Sequence, residues 1–227
     1  MSYNNGPKTT TDGLVMLLDA ANLNSYPGSG TAWTDLTGNG ANGTLTLGPT
    51  FNSANGGSIV LDGINDYIPI SVPSNTIRVY DSTIFFVVKL PLYSGGQRCI
   101  FSYRGGGGGN LYVGKVSGGI FCYYDQLNNP AYITGNITDN TIAIVGIQLD
   151  YYAGTITTTI NGSKQTSGTR TGWISTYNTV LNLGYDGGGT NEYMLGNFYY
   201  FAHYNKVLTD AELLQNYNAL RGRFGLW

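Results

Sequence analysis

The stretch Phe198-Tyr-Tyr-Phe-Ala-His-Tyr-Asn-Lys-Val-Leu-Thr-Asp-Ala-Glu-Leu-Leu-Gln-Asn-Tyr-Asn218 runs an aromatic strand straight into a helix start, and its reading decides the architecture. Thr209 and Glu212 stand in the T-x-x-E spacing of a capping box, in which the hydroxyl accepts from the Glu212 amide and the carboxylate reaches back to the Thr209 amide. Leu208 and Leu213 add a hydrophobic staple across the first turn. Leu213, Tyr217 and Leu220 recur at i, i+4 and i+7 with Leu214 beside them, which predicts a short helix within 209–221 with one apolar face. Gly222 is placed to stop it. Phe198 to Tyr204 puts aromatic side chains on both faces of one strand, so the outer face is expected to be covered by the helix or by another subunit.

Upstream of that strand the chain reads as a series of short strands. They are expected at residues 14–18, 44–47, 58–61, 67–72, 83–90, 98–103, 111–115, 119–124, 141–149, 155–160, 180–184 and 194–204. Thr83-Ile-Phe-Phe-Val-Val-Lys-Leu90 and Ile142-Ala-Ile-Val-Gly-Ile147 are almost continuously apolar and read as central strands that carry the core. Asn161-Gly162, after Thr155-Ile-Thr-Thr-Thr-Ile160, supplies the two positive-φ residues of a type I′ hairpin turn. The threonine face of that hairpin is expected to meet solvent. A dozen strands and one terminal helix predict an all-β fold of two packed antiparallel sheets. Thirty-four glycines and nineteen tyrosines against 11% charged residues suit many strands joined by tight turns, in a single domain over 1–227 with an N-terminal arm at 1–12.

Both ends of the chain resemble one family. Leu208-Thr-Asp-Ala-Glu212 after a hydrophobic strand is similar to the closing strand and helix cap of laminin-G-like, concanavalin A-like jelly-roll domains. Asp12-Gly-Leu-Val-Met-Leu-Leu-Asp19, Trp33-Thr-Asp-Leu-Thr-Gly-Asn39, Gly43-Thr-Leu and Ser58-Ile-Val-Leu-Asp-Gly-Ile-Asn-Asp-Tyr-Ile68 resemble its opening strands and turns. The resemblance implies a concanavalin A-like jelly-roll sandwich. A narrower likeness, in Tyr26-Pro-Gly-Ser-Gly30, Phe51 to Ser58 and Gly222 to Leu226, is to the single-domain version found in structural proteins of tailed bacteriophages, cyanophages among them. It implies a non-enzymatic virion protein, decorating or cementing the capsid or belonging to the tail, with other virion proteins and further copies of itself as partners.

Composition narrows the function classes. A net charge of −2 with eleven Lys and Arg scattered singly offers no basic stripe for a phosphate backbone, so nucleic acid is not an expected partner. Residues 1–12 lack a basic start followed by an apolar stretch, and no run approaches the roughly 18 apolar residues of a membrane span. Synthesis in a host cytoplasm followed by assembly into a virion fits that reading. Cys99 and Cys122 lie in apolar strands without C-x-x-C spacing and are expected to be buried free thiols. Glycosidase chemistry needs two flanking carboxyl groups. The chain has only Glu192 and Glu212, the latter committed to the helix cap, and His203 reads as a packed histidine, so no enzyme is expected.

Two kinds of site remain. The resemblance implies calcium at a sandwich rim, for which Asp19, Asp35, Asp62, Asn65 and Asp66 are the oxygen donors, although Asp-Gly and Asn-Asp are also ordinary turn chemistry. Otherwise no cofactor is expected. Glycan binding would use aromatic faces and polar groups on rim loops. Tyr103, Arg104, Tyr112, Tyr124, Trp173, Tyr177, Tyr185 and Asp186 are the candidates for a host surface glycan. Two segments share one pattern, Phe101-Ser-Tyr-Arg-Gly and Leu183-Gly-Tyr-Asp-Gly, each passing from a strand through Tyr and a charge into polyglycine. Phe224 and Trp227 are candidate anchors for a partner.

Overall fold

Thr209 Oγ1 accepts from the Glu212 amide at 3.2 Å, and the Glu212 carboxylate accepts from the Thr209 amide at 2.8 Å, so the capping box forms. Such a cap stabilises a helix by about 1 kcal/mol. Lys206 donates to the same carboxylate at 2.9 Å. The helix, α1, spans Asp210–Arg221. Gly222 is its C-cap, as expected, but at φ −62° it is not left-handed: the chain continues through a 3-10 turn at Gly222–Phe224, and the left-handed residue is Gly225, φ 68°.

The computed structural model describes residues 7–73, 76–77, 81–93, 97–103, 110–116, 119–125, 135–165, 168–169, 180–187 and 192–227. The strands are β1 (Leu14–Asp19), β2 (Ala32–Trp33), β3 (Gly43–Thr44), β4 (Thr50–Asn52), β5 (Ser58–Asp62), β6 (Ile68–Ser71), β7 (Ser82–Lys89) and β8 (Gln97–Tyr103). They continue as β9 (Asn110–Val116), β10 (Gly119–Asp125), β11 (Ile142–Asp150), β12 (Thr155–Ile160), β13 (Ser163–Lys164), β14 (Gly168–Thr169), β15 (Val180–Leu183) and β16 (Leu195–Tyr204). The first sheet runs β13-β12-β11-β7-β16-β5-β4, with β1 added on β16 and β14 on β12. The second runs β10-β9-β8-β15-β6-β3-β2. Every described pairing is antiparallel, and β7 and β11 are central, as their apolar runs predict. Strand β3 is shorter than expected because Leu47 takes φ 69° and turns the chain away, leaving Thr46 a single bridge to Tyr67.

A bulge organises β16. Its pairing with β7 shifts register between Phe198 and Tyr200, so Tyr199 and Tyr200 both face outward while Phe198 and Phe201 both face the second sheet. The neighbour on the other edge changes at the same place, from β5 along Leu195–Phe198 to β1 along Tyr200–Tyr204. Inward, Phe198 and Phe201 join Phe86 of β7 and Phe101 of β8 in the inter-sheet core. Outward, Tyr199, Tyr200 and Tyr204 pack with Phe85, Leu208, Leu213, Leu220 and Phe224. The helix covers that face, one of the two coverings the aromatic strand calls for. Asn216, fully buried on α1, accepts from the Thr10 amide at 2.8 Å and donates to the Tyr204 hydroxyl at 3.1 Å, pinning the arm beneath the helix.

The hairpin after β12 has the expected turn, with Asn161 at φ 49° and Gly162 at φ 78°. Its threonine face, however, is not solvent-exposed. Thr157 and Thr159 are each only 8% exposed, because β12 lies beside β11 under the start of α1, where Gln148 donates to the Leu208 carbonyl and Thr159 sits beside Leu213. No helix among the described residues is long and apolar enough to cross a membrane.

Candidate functional site

The outer face of the second sheet carries a polar row. Pairing places Pro69, Asn182, Ser102 and Tyr112 in line across β6, β15, β8 and β9, while their strand neighbours Ile68, Ile70, Leu181, Leu183, Phe101, Leu111 and Val113 face the core. The chain after β15 folds back over this row. Gly184, at φ 81°, makes the turn, and a Cβ there would stand 2.6 Å from Leu61 Cδ1, so both the conformation and the packing call for glycine. The base of the resulting loop is closed by the Met194 amide donating to the Gly184 carbonyl at 2.9 Å. The Ser102 hydroxyl donates to the Tyr185 carbonyl at 2.9 Å, and the Arg98 guanidinium donates to the carbonyls of Gly63 and Tyr193.

Held this way, Tyr185 and Tyr193 stack, with centroids 4.8 Å apart and planes 14° from parallel. Tyr67 leans on Tyr185 at 5.4 Å and 55°. All three rings are half-buried. Beside them Tyr112 donates its hydroxyl to Glu192, whose other carboxylate oxygen accepts from the Gln97 side-chain amide. Burial first, then Cys99 and the Glu192 and Asp186 carboxylates, push the Tyr112 phenol well above the ordinary tyrosine range. The Tyr193 phenol is also raised, by desolvation first and then by Tyr185, Tyr67 and Asp186. The rim thus offers the half-buried rings of Tyr67, Tyr185 and Tyr193 with Glu192 and the exposed Gln97 beside them, while Tyr112 and Asp186, each only 2% exposed, support it from within.

The structure therefore brings Tyr112, Tyr185 and Asp186 together and adds Tyr67, Glu192, Tyr193 and Gln97, which the sequence reading did not assign to a binding site. Strand alternation before Ile68 marks Tyr67 as outward-facing, but nothing local pairs it with Tyr193, 126 positions away in the chain. Tyr103 is a correction. It is fully buried on the inner side, its hydroxyl 2.7 Å from His203 Nδ1, and burial drives its phenol far above the usual range. The register shift in β8 between Cys99 and Phe101 turns both Ile100 and Phe101 inward, so every later residue of the strand changes face. Arg104, Trp173 and Tyr177 lie outside the described residues, as do the side chains of Tyr124 and Cys122. Cys99 is buried, as expected. Phe224 is not an available anchor either, because it is 9% exposed and packs edge-on against Tyr199 at 5.3 Å. Trp227 is 88% exposed.

The calcium donors are held by turn chemistry. Asp19 Oδ1 accepts from the Ala21 amide at 2.9 Å and from Arg223 at 2.7 Å. Asp35 accepts from the amides of Leu17, Thr37 and Ala41. Asp62 accepts from the amides of Ile64, Asn65 and Asp66, which hold its carboxyl below the usual range, while Asp66 is raised by burial and by Asp62. Asn65 is exposed. Among the described residues no three His, Cys, Asp or Glu side chains gather to hold a metal ion.

A family model described as the concanavalin A-like lectin/glucanases superfamily matches residues 61–214, well over half of the chain. The chain belongs to this superfamily. The two antiparallel sheets and single helix are its jelly-roll architecture, as the sequence resemblance implies. No curated protein matches by sequence. Among solved structures, the botulinum neurotoxin serotype D binding domain superposes with a TM-score of 0.74 at 16% identity over 91% of this chain and 51% of its own. This superfamily member thus spans about half the length of that toxin domain. Domain 4 of AbnA, a GH43 extracellular arabinanase from Geobacillus stearothermophilus solved with arabinotriose, gives 0.68 at 17% identity over 89% of this chain and 97% of that one. Trypanosoma rangeli sialidase, solved with sialic acid, gives 0.69 at 15% identity over 92% and 33%. At these identities the likeness is one of fold.

Proposed function

We propose that the chain is a non-enzymatic glycan-binding module whose site is the tyrosine cluster on the outer face of the second sheet. The observation that carries the reading is the stacked Tyr185–Tyr193 pair set beside Glu192 and Gln97. Aromatic faces take the C–H faces of sugar rings, and carboxylate and amide groups at their edge order the hydroxyls. A binding role is further supported by the arabinotriose-containing domain, which is nearly the same size as this chain. Both oxygens of Glu192 are engaged by Tyr112 and Gln97, which favours a fixed hydrogen-bonding role over acid catalysis. A multivalent display of the protein on a glycan array is expected to bind a subset of polysaccharides, and Y185A together with Y193A is expected to reduce that signal about tenfold or more. Uniform silence of the wild type on the array would sink the proposal.

The setting we propose is the surface of a tailed-phage particle, on the capsid or at the tail. The phage-type likeness of Tyr26 to Gly30, Phe51 to Ser58 and Gly222 to Leu226 supports it. Immunogold labelling of purified particles is expected to decorate the virion. Label found only in the unassembled fraction would remove the virion from the proposal and leave the glycan site standing.

A further inference from the structure

We propose that the chain dimerises through α1, as a two-fold pair in which the helices run antiparallel and Trp227 of each copy covers a cavity in the other. The cavity, about 230 Å³, lies between α1 and the first sheet; Phe85, Ile144, Leu213, Leu214 and Tyr217 form its apolar wall, and Thr159, Gly162 and the Lys164–Asp210 ion pair complete its lining. A cavity of about 150 Å³ holds a benzene ring, so this one has room for an indole. Trp227, just beyond α1, is 88% exposed, and Leu214 on the helix is 49% exposed. Leu214 lines both the cavity and the open groove that contains Trp227, so the two features adjoin on one surface.

The outward stripe of α1 is Ala211, Leu214, Gln215 and Asn218, spaced i, i+3, i+4 and i+7. It is nearly symmetric about a point between Leu214 and Gln215, and an antiparallel copy therefore meets it with itself. Charge follows the same symmetry. Asp210 stands at the start of the helix, 70% exposed and paired on the surface with Lys164 at 3.2 Å, and Arg221 stands at its end, so antiparallel pairing brings each Asp210–Lys164 pair within a turn of the other copy's Arg221, which can join Lys164 on the same carboxylate. A parallel pairing would set like charges together. Trp227 sits at the Arg221 end and the cavity opens at the Asp210 end, so the same operation carries each indole to the opposite cavity. Both tyrosine clusters, on the far side of the sandwich, are left facing away from the dimer.

Sedimentation velocity of the full chain over a concentration series tests this directly. A reversible monomer–dimer equilibrium is expected, with W227A and R221E each weakening it about tenfold or more. D210K combined with R221E should recover most of the loss, while D210K alone should not dimerise. Thermal unfolding of each variant checks that the fold is intact, and Trp227 is exposed enough for W227A to keep it. A monomer at every concentration, a species larger than two, indifference to W227A, or no recovery in the double variant would each overturn the proposal.

Discussion

Replacing Phe201 by alanine is expected to lower the free energy of unfolding by about 3–5 kcal/mol, the usual range for emptying a buried phenylalanine site. Phe201 has no exposed surface and touches Phe86 and Phe198 in its own sheet and Phe101 across the core, the last at 5.3 Å and 79°. Its neighbours belong to β7, β8 and β16, all paired on both edges, so they are poorly able to close over the void. F201L retains most of the volume and is expected to cost about 1 kcal/mol. Chemical denaturation read by tyrosine and tryptophan fluorescence measures both. A loss below about 1 kcal/mol for F201A would mean that the two sheets do not meet through this aromatic cluster.

The parts of the fold legible in the sequence are those fixed by short-range chemistry. The Thr209–Glu212 box, the Asn161-Gly162 turn and the apolar runs of β7 and β11 each depend on residues a few positions apart, and each stands where its spacing puts it. What alternation could not reveal was whether an outward face is wet. Thr157 and Thr159 do point away from the core, but the start of α1, some 50 residues later, keeps water from them. Bulges were equally silent. Counting by twos along β8 places Tyr103 outward beside Tyr112, and the one-residue irregularity at Ile100 sends it inward to His203 instead.

The candidate site divides along the same line. Tyr103-Arg-Gly and Tyr185-Asp-Gly share a local pattern, yet one tyrosine is entombed and the other stacks on a rim, because the second is preceded by the left-handed turn at Gly184. The stacking partner Tyr193 and the acceptor Glu192 reach the site only because the Met194 amide closes the loop on Gly184. Aspartates offered as calcium ligands have the turn role that their Asp-Gly and Asn-Asp contexts equally describe.

Gly184→Ala should therefore damage stability and sugar binding together. An L-residue in the left-handed region costs roughly 1–2 kcal/mol. The new methyl would also press against Leu61 Cδ1 at 2.6 Å, inside a fully buried layer, and such overpacking adds about 1–3 kcal/mol. Gly30→Ala separates the two costs, since Gly30 has φ 86° but nothing within 4 Å of a built Cβ, leaving only the conformational part. G184A is thus expected to be about 1–3 kcal/mol less stable than G30A in the same denaturation assay. Relief of the Leu61 contact must move Tyr185 off Tyr193, so under folding conditions G184A should also lose glycan-array signal while G30A keeps it. Equal stability of the two variants would show that the turn is loosely packed. Undiminished binding by G184A would show that the sugar does not rest on the Tyr185–Tyr193 pair.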